Sequence, residues 1–169
     1  MTQGKEKIGP IHIAIPAKHL KAVEDLLLDL RRMEEEGIPV PRPTGPGVDP
    51  PEFAGEWPVT ELRRLSAGTT KTNATIIAVL DVLARHPDRG LPTMRISVDT
   101  GLSRQSLKGA FANLTRLLKS HFDYDELGSP FNRQAIRMPR REEEVFYWLT
   151  AAQADRWTLA RTAGLIDGR

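Results

Sequence analysis

Five hydrogen-bond donors that could act together are Arg104, Gln105, Lys108, Arg116 and Lys119. They lie in a run where Leu107, Phe111, Leu114 and Leu118 recur at steps of four, three and four, which is one apolar stripe of a helix. The cations and the amide fall away from that stripe, together with Ala112. A helix that buries one side and offers small, amide and cationic side chains on the other suits the major groove of DNA. The segment just before it, from Met94, reads as a shorter helix in which Ile96 and Val98 offer apolar contacts. Gly101 can take the positive φ of a tight turn, and Ser103 is placed to cap the second helix with its hydroxyl. The competing reading is a helix-loop-helix corner whose basic face is only solvated.

Other residue sets fall short of the chemistry they suggest. Gly68-Thr-Thr-Lys71-Thr72 has the Lys-Thr end of a phosphate-binding loop, but Thr70 and Leu65 stand where its two glycines belong. Asp123-Tyr-Asp125-Glu-Leu-Gly128 opens like a calcium loop, yet the closing acidic position is Gln134. His12, His19, His86 and His121 show no paired ligand spacing, so no zinc site is expected. Asp123, Asp125 and Glu126 beside His121 read as an acidic loop, and no nucleophile and base are arranged together. The expectation is therefore a non-enzyme without cofactor or metal.

These donors need a scaffold, and composition supplies one. With 169 residues, 40% hydrophobic and 27% charged, the chain has the makings of a globular domain with a real core and an appendage. It has no Cys, which excludes disulfides and thiolate chemistry. The start, Met-Thr-Gln-Gly-Lys-Glu-Lys, is not a secretory leader, and no apolar run approaches the roughly 18 residues that span a bilayer. A cytoplasmic protein with no membrane partner is expected. Net charge is only +2, but residues 91–141 hold nine Lys/Arg against four Asp/Glu, while residues 142–169 hold three against five. The excess sits on the paired helices and on the segment just after them, as on a surface that faces phosphates.

The chain divides into three stretches. Residues 1–37 read as a strand, with Ile11, Ile13 and Ile15 on one face, and a helix from Ala17 to Glu36 ended by Gly37. One strand cannot stand alone, so this unit either docks on the rest of the chain or pairs with its copy in a homodimer. Residues 38–58 form a Pro-rich linker, extended and ending in Trp57 as an anchor. Residues 59–169 form the main domain. A short helix over Thr60–Leu65, capped by Thr60, precedes one through Ala84 capped by Thr72 or Asn73. Leu91-Pro92 supplies a minimal strand and Thr93 caps the first helix of the pair. Beyond the pair, His121 to Asn132 is irregular. Gln134–Met138 and Val145–Leu149 are strands of a hairpin, and Thr150 caps a last helix, Ala151 to Ala163. The fold class is mainly α with a small β component, α+β.

This order, three helices and then a hairpin with a charged tip, resembles the winged helix-turn-helix family of bacterial DNA-binding regulators over about residues 60–149. The layout is also similar to a group of small bacterial proteins with a strand-helix start, a Pro-rich spacer, and a Tyr-Trp strand, here Tyr147-Trp148, before a terminal helix. That second likeness concerns architecture alone. The first implies that Arg104, Gln105 and Lys108 lie nearest the bases, since Arg and Lys suit guanine and Gln suits adenine. It implies phosphate contacts for Ser106, Arg116 and Lys119, Ser103 heading the reading helix, and Arg140 and Arg141 on the wing. Against the wing stands a solvated turn in which Arg140 and Arg141 pair with Glu142 to Glu144. Gly109 departs from a good reading helix and weakens it by about 1 kcal/mol relative to Ala. Two functions remain open. One is a dimeric regulator binding double-stranded DNA. The other is a winged-helix adaptor or antitoxin-like module, without DNA readout, that meets a protein through Trp148 and Trp157.

Overall fold

The computed structural model describes Leu28, Arg31 and residues 37–39, 49–137 and 143–163. The chain falls into two compact units, Met1–Glu35 and Glu36–Arg169. Most of the expected amino-terminal strand and helix lies outside the described residues, as do Met138, Arg140 and Arg141.

The larger unit is mixed α+β. Its elements are β1 (Ile38–Pro39), α1 (Val59–Ser66), α2 (Lys71–Ala84), β2 (Arg89–Pro92), α3 (Thr93–Thr100), α4 (Arg104–His121), α5 (Tyr124–Leu127), β3 (Asn132–Arg137), β4 (Glu143–Trp148) and α6 (Ala151–Ala163). Strands β2, β4 and β3 form an antiparallel sheet in that order, and the two-residue β1 adds to the β2 edge. The hairpin register runs from Asn132 opposite Trp148 to Arg137 opposite Glu143. Asn132, Gln134 and Ile136 are buried while Arg133 and Arg137 are exposed, the period of two that a half-buried strand requires.

The core is formed by the apolar stripes of the helices. Leu65 of α1, Ile76, Leu80 and Leu83 of α2, and Leu107 and Leu118 of α4 are all essentially inaccessible to water. Phe111 stacks on Tyr147 at 4.6 Å, and Phe131 meets both rings edge-on. Burial pushes the Tyr147 phenol up to about 12. At the end of β4 both faces are covered, so Phe146, Tyr147 and Trp148 are consecutive buried residues.

Local chemistry sets the helix ends, with some shifts from the sequence pattern. Thr70, not Thr72 or Asn73, caps α2, its hydroxyl accepting from the Asn73 N–H at 3.1 Å. Thr60 lies inside α1, whose cap position is Pro58 with no side-chain bond. Thr93 is likewise inside α3, and its N–H donates to the Glu144 carboxylate of β4 at 3.1 Å. The distant carboxylate accepts one of the amides left without a partner at the start of α3. Thr150 does cap α6: it accepts from the Gln153 N–H at 3.3 Å and donates its own N–H to Gln153 Oε1 at 2.9 Å, a reciprocal box. The stretch expected to be irregular after α4 contains the one-turn α5.

The described part of the Pro-rich stretch is strapped to the sheet. Glu52 and Arg133 exchange both backbone hydrogen bonds, at 2.8 and 2.9 Å, and their side chains pair at 2.7 Å. The Asp49 N–H donates to the Ala135 carbonyl at 3.0 Å, and the Ala54 N–H to Asn132 Oδ1 at 2.7 Å. Gly55 passes so close to Leu127 that an added Cβ would sit 1.8 Å from its carbonyl oxygen. Trp57 is buried as an anchor, its ring 5.3 Å from that of Phe122.

Candidate nucleic-acid interface

The turn between α3 and α4 presents the candidate face. Gly101 has φ of 70°, and nothing stands within 4 Å of where its Cβ would be, so backbone conformation alone demands glycine there. The Thr100 hydroxyl donates to the Ile96 carbonyl at 2.7 Å and accepts from the Leu102 N–H at 3.2 Å. The Ser97 hydroxyl donates to the Leu102 carbonyl. Ser103 then caps α4, accepting from the Ser106 N–H at 3.1 Å. A turn tied at three points fixes the angle at which α4 leaves it.

Leu107, Ala110, Leu114 and Leu118 of α4 face inward and are buried. On the other side Arg104, Gln105, Lys108, Gly109, Ala112, Arg116 and Lys119 are exposed, and neither the strap nor α6 covers them. Ser103 is exposed at the head of the helix. Ser106 is half-buried and its hydroxyl already shares a 2.9 Å hydrogen bond with that of Ser103, so a phosphate would have to compete for it. Nothing lies within 4 Å of a Cβ at Gly109, which therefore leaves a shallow notch in the open face. Asn113 and Thr115 are also exposed on the flanks of this face, and the stripe spacing does not single them out. The visible clue is simply that neither occupies a stripe position.

Charge distinguishes this face more than shape does. Helix α4 has no Asp or Glu in its 18 residues. Among the described residues, no carboxylate lies within 4.0 Å of Arg104, Lys108, Arg116 or Lys119. The Lys119 ammonium instead sits 5.6 Å from the centre of the Tyr124 ring. The exposed Asp123, Asp125 and Glu126 come after the carboxyl end of α4, so positive potential is concentrated toward its amino-terminal half, where the helix dipole adds to it. Arg104 and Lys119 are about 22 Å apart along a helix that rises about 1.5 Å per residue.

Of the remaining expected site residues, Arg140 and Arg141 lie outside the described residues. Glu144, expected as one of their turn partners, is committed to the α3 amino terminus. The aromatic contact surface is corrected: Trp148 is 1% exposed and Trp157 2%, and the Trp157 indole donates to Asp81 at 2.8 Å. Both are core residues. Val98, expected to pack inward, is 71% exposed, and Met94 one turn earlier is 52% exposed, while Ile96 is buried.

Among the described residues, no cluster of three or more acidic or His side chains could hold a metal ion, and no helix is long and apolar enough to cross a membrane. Comparison with family models, curated proteins and solved structures gives no significant match to this chain.

Proposed function

We propose that the protein binds double-stranded DNA as a winged helix-turn-helix regulator, with α4 in the major groove. The observation that carries this reading is the open face of α4: its cations are exposed, and none has a carboxylate partner among the described residues. Support also comes from element order, since α2, β2, α3, α4 and the β3–β4 hairpin come in the sequence of that plan, with the one-turn α5 before the hairpin. Arg104, Gln105 and Lys108 read base edges, and each good contact contributes on the order of 1–3 kcal/mol to discrimination. Arg116 and Lys119 meet phosphates, and Arg140 and Arg141 on the wing reach the backbone or the minor groove. The amino-terminal unit joins two copies, because the strand expected from the sequence over Ile11, Ile13 and Ile15 would need a partner.

The test is a titration of binding to random duplex against salt. Four phosphate contacts per protomer give a slope near −3.6 in log K against log salt, about a hundredfold loss between 50 and 200 mM. Absence of binding at low salt overturns the reading.

A second reading, a protein-binding adaptor, is favoured by Met94 and Val98, exposed one turn apart on α3. Under it, Met94→Glu with Val98→Lys abolishes partner capture while duplex binding, if any, is unchanged.

A further inference from the structure

The side of α4 that points straight away from the core is not uniform. At about 100° per residue, Gln105, Ala112 and Arg116 lie within roughly 25° of the direction opposite the buried Leu107, Ala110, Leu114 and Leu118. Gly109 stands next to that line, while Arg104 and Lys108 are further round on one flank. Outward from the core, the helix therefore shows in turn an amide, a gap at Gly109, a methyl and a guanidinium. Ala112 and Gly109 are both exposed, and nothing lies within 4 Å of where a Cβ at Gly109 would be. The side chains around them are longer, so this is where the backbone of α4 can come nearest to what it meets. Ala112 has neither a donor nor an acceptor to offer there.

We infer that Ala112 selects thymine by packing its methyl on the thymine C5-methyl group in the major groove, an inference that rests on the DNA-binding proposal above. Among the groups that base pairs present in that groove, the thymine methyl is the apolar one. The others are donors and acceptors, which would lose water against a bare methyl without gaining a partner. A C5-methylated cytosine carries the same methyl but sets the N4 amine beside it. Asp and Glu are the side chains that accept from that amine, and α4 has neither. Thymine sets its O4 acceptor there instead, which suits a helix whose Lys108 and Arg116 stand one turn before and one turn after Ala112.

The full chain is offered a random pool of duplexes at low salt, and a preferred duplex is recovered. Each of its thymines is then replaced singly by deoxyuridine, which keeps every hydrogen-bonding group and removes only the methyl. At least one replacement is expected to weaken binding about fourfold, the effect of one methyl leaving an apolar contact. In Ala112→Gly the same replacement should have no effect. Lys119→Ala should weaken both duplexes alike and keep the fourfold ratio. Each ratio compares two duplexes on one protein preparation, so a loss of stability in Ala112→Gly leaves it readable. Binding indifferent to every replacement, or a ratio that persists in Ala112→Gly, overturns the inference and leaves the DNA-binding proposal standing. Absence of duplex binding overturns that proposal and the inference with it.

Discussion

Four arginines elsewhere in the larger unit have a carboxylate at hand, whereas the cations that follow one another along one face of α4 do not. Lys71, Arg85 and Arg137 are exposed and unpaired too among the described residues, but they lie apart from one another on α2 and its end and on β3. Arg64 pairs with Glu61 at 2.6 Å, Arg95 with Asp99 at 2.9 Å, Arg133 with Glu52 at 2.7 Å and Arg161 with Asp81 at 3.3 Å. On α4, Arg104, Lys108 and Arg116 have no such neighbour among the described residues. An exposed ion pair contributes at most about 1 kcal/mol to stability, so the pairs elsewhere are only a modest gain and their absence on α4 only a modest loss. What changes is the field. Paired charges cancel within a few ångströms, while unpaired ones project outward over a Debye length of about 8 Å at physiological salt. The net charge of the whole chain hides this contrast because it averages over both surfaces.

The contrast can be broken most directly by removing cations from one side. Arg104→Ala combined with Lys108→Ala should lower affinity for a preferred duplex by about a hundredfold or more, at contributions of roughly 1–3 kcal/mol each. Binding isotherms check it, with unchanged thermal stability as the control, since neither side chain is buried. Lys119→Ala, near the acidic end, should weaken all sequences alike and by less.

A second prediction concerns the back of α4. Tyr147, raised to about 12 by burial, stacks on Phe111. A phenol whose folded pKa exceeds the unfolded value of about 10 favours folding fully below pH 10 and loses that preference as pH rises toward 12. Unfolding free energy should therefore drop by something on the order of 2–3 kcal/mol across that window relative to Tyr147→Phe. Denaturation at stepped pH, with tyrosinate absorbance, measures the difference; parallel curves for the two proteins would refute it.

Two glycines sharpen the comparison in opposite directions. Gly101→Ala forces a Cβ into φ of 70° and should destabilise by about 1–2 kcal/mol. Gly109→Ala meets nothing within 4 Å and should stabilise by up to about 1 kcal/mol. If α4 approaches a duplex closely at its notch, the same Gly109→Ala change should also weaken binding, so stability and affinity move apart. The smallest effect is expected from the paired side: Arg133→Ala should cost less than about 1 kcal/mol and leave the salt slope of binding unchanged.

The parts of the molecule legible in its sequence are those decided within a turn or two of chain. The stripe of Leu107, Leu114 and Leu118, the turn at Gly101 and the caps at Ser103 and Thr150 all depend on neighbours a few residues away. The misread features depend on distant partners. Glu144 reaches the Thr93 N–H across 51 residues, at a helix start whose cap position, Pro92, makes no side-chain bond. Trp148 shows the alternation of an open strand, but Phe53 of the strap meets its ring edge-on at 6.4 Å, part of the cover on that end of β4. Val98 looks like a core residue because it is apolar and two positions from Ile96, yet two steps along a helix is a turn of about 200° and carries it to the opposite side. The candidate face of α4 is legible because helix periodicity fixes it; the lack of pairing along it depends on the positions of every carboxylate around it.

The strap along β3 bears on how this protein can be cut. A fragment begun at Val59 would hold every helix of the larger unit but lose Asp49, Glu52 and Ala54, and with them the hydrogen bonds that occupy the outer rim of Arg133 and Ala135. That rim would then offer unsatisfied amides and carbonyls to any passing chain, inviting strand-to-strand polymerisation. The smallest unit expected to stay dispersed in solution therefore starts no later than Asp49, and the stretch from Asp49 to Ala54 travels with the domain as its hem.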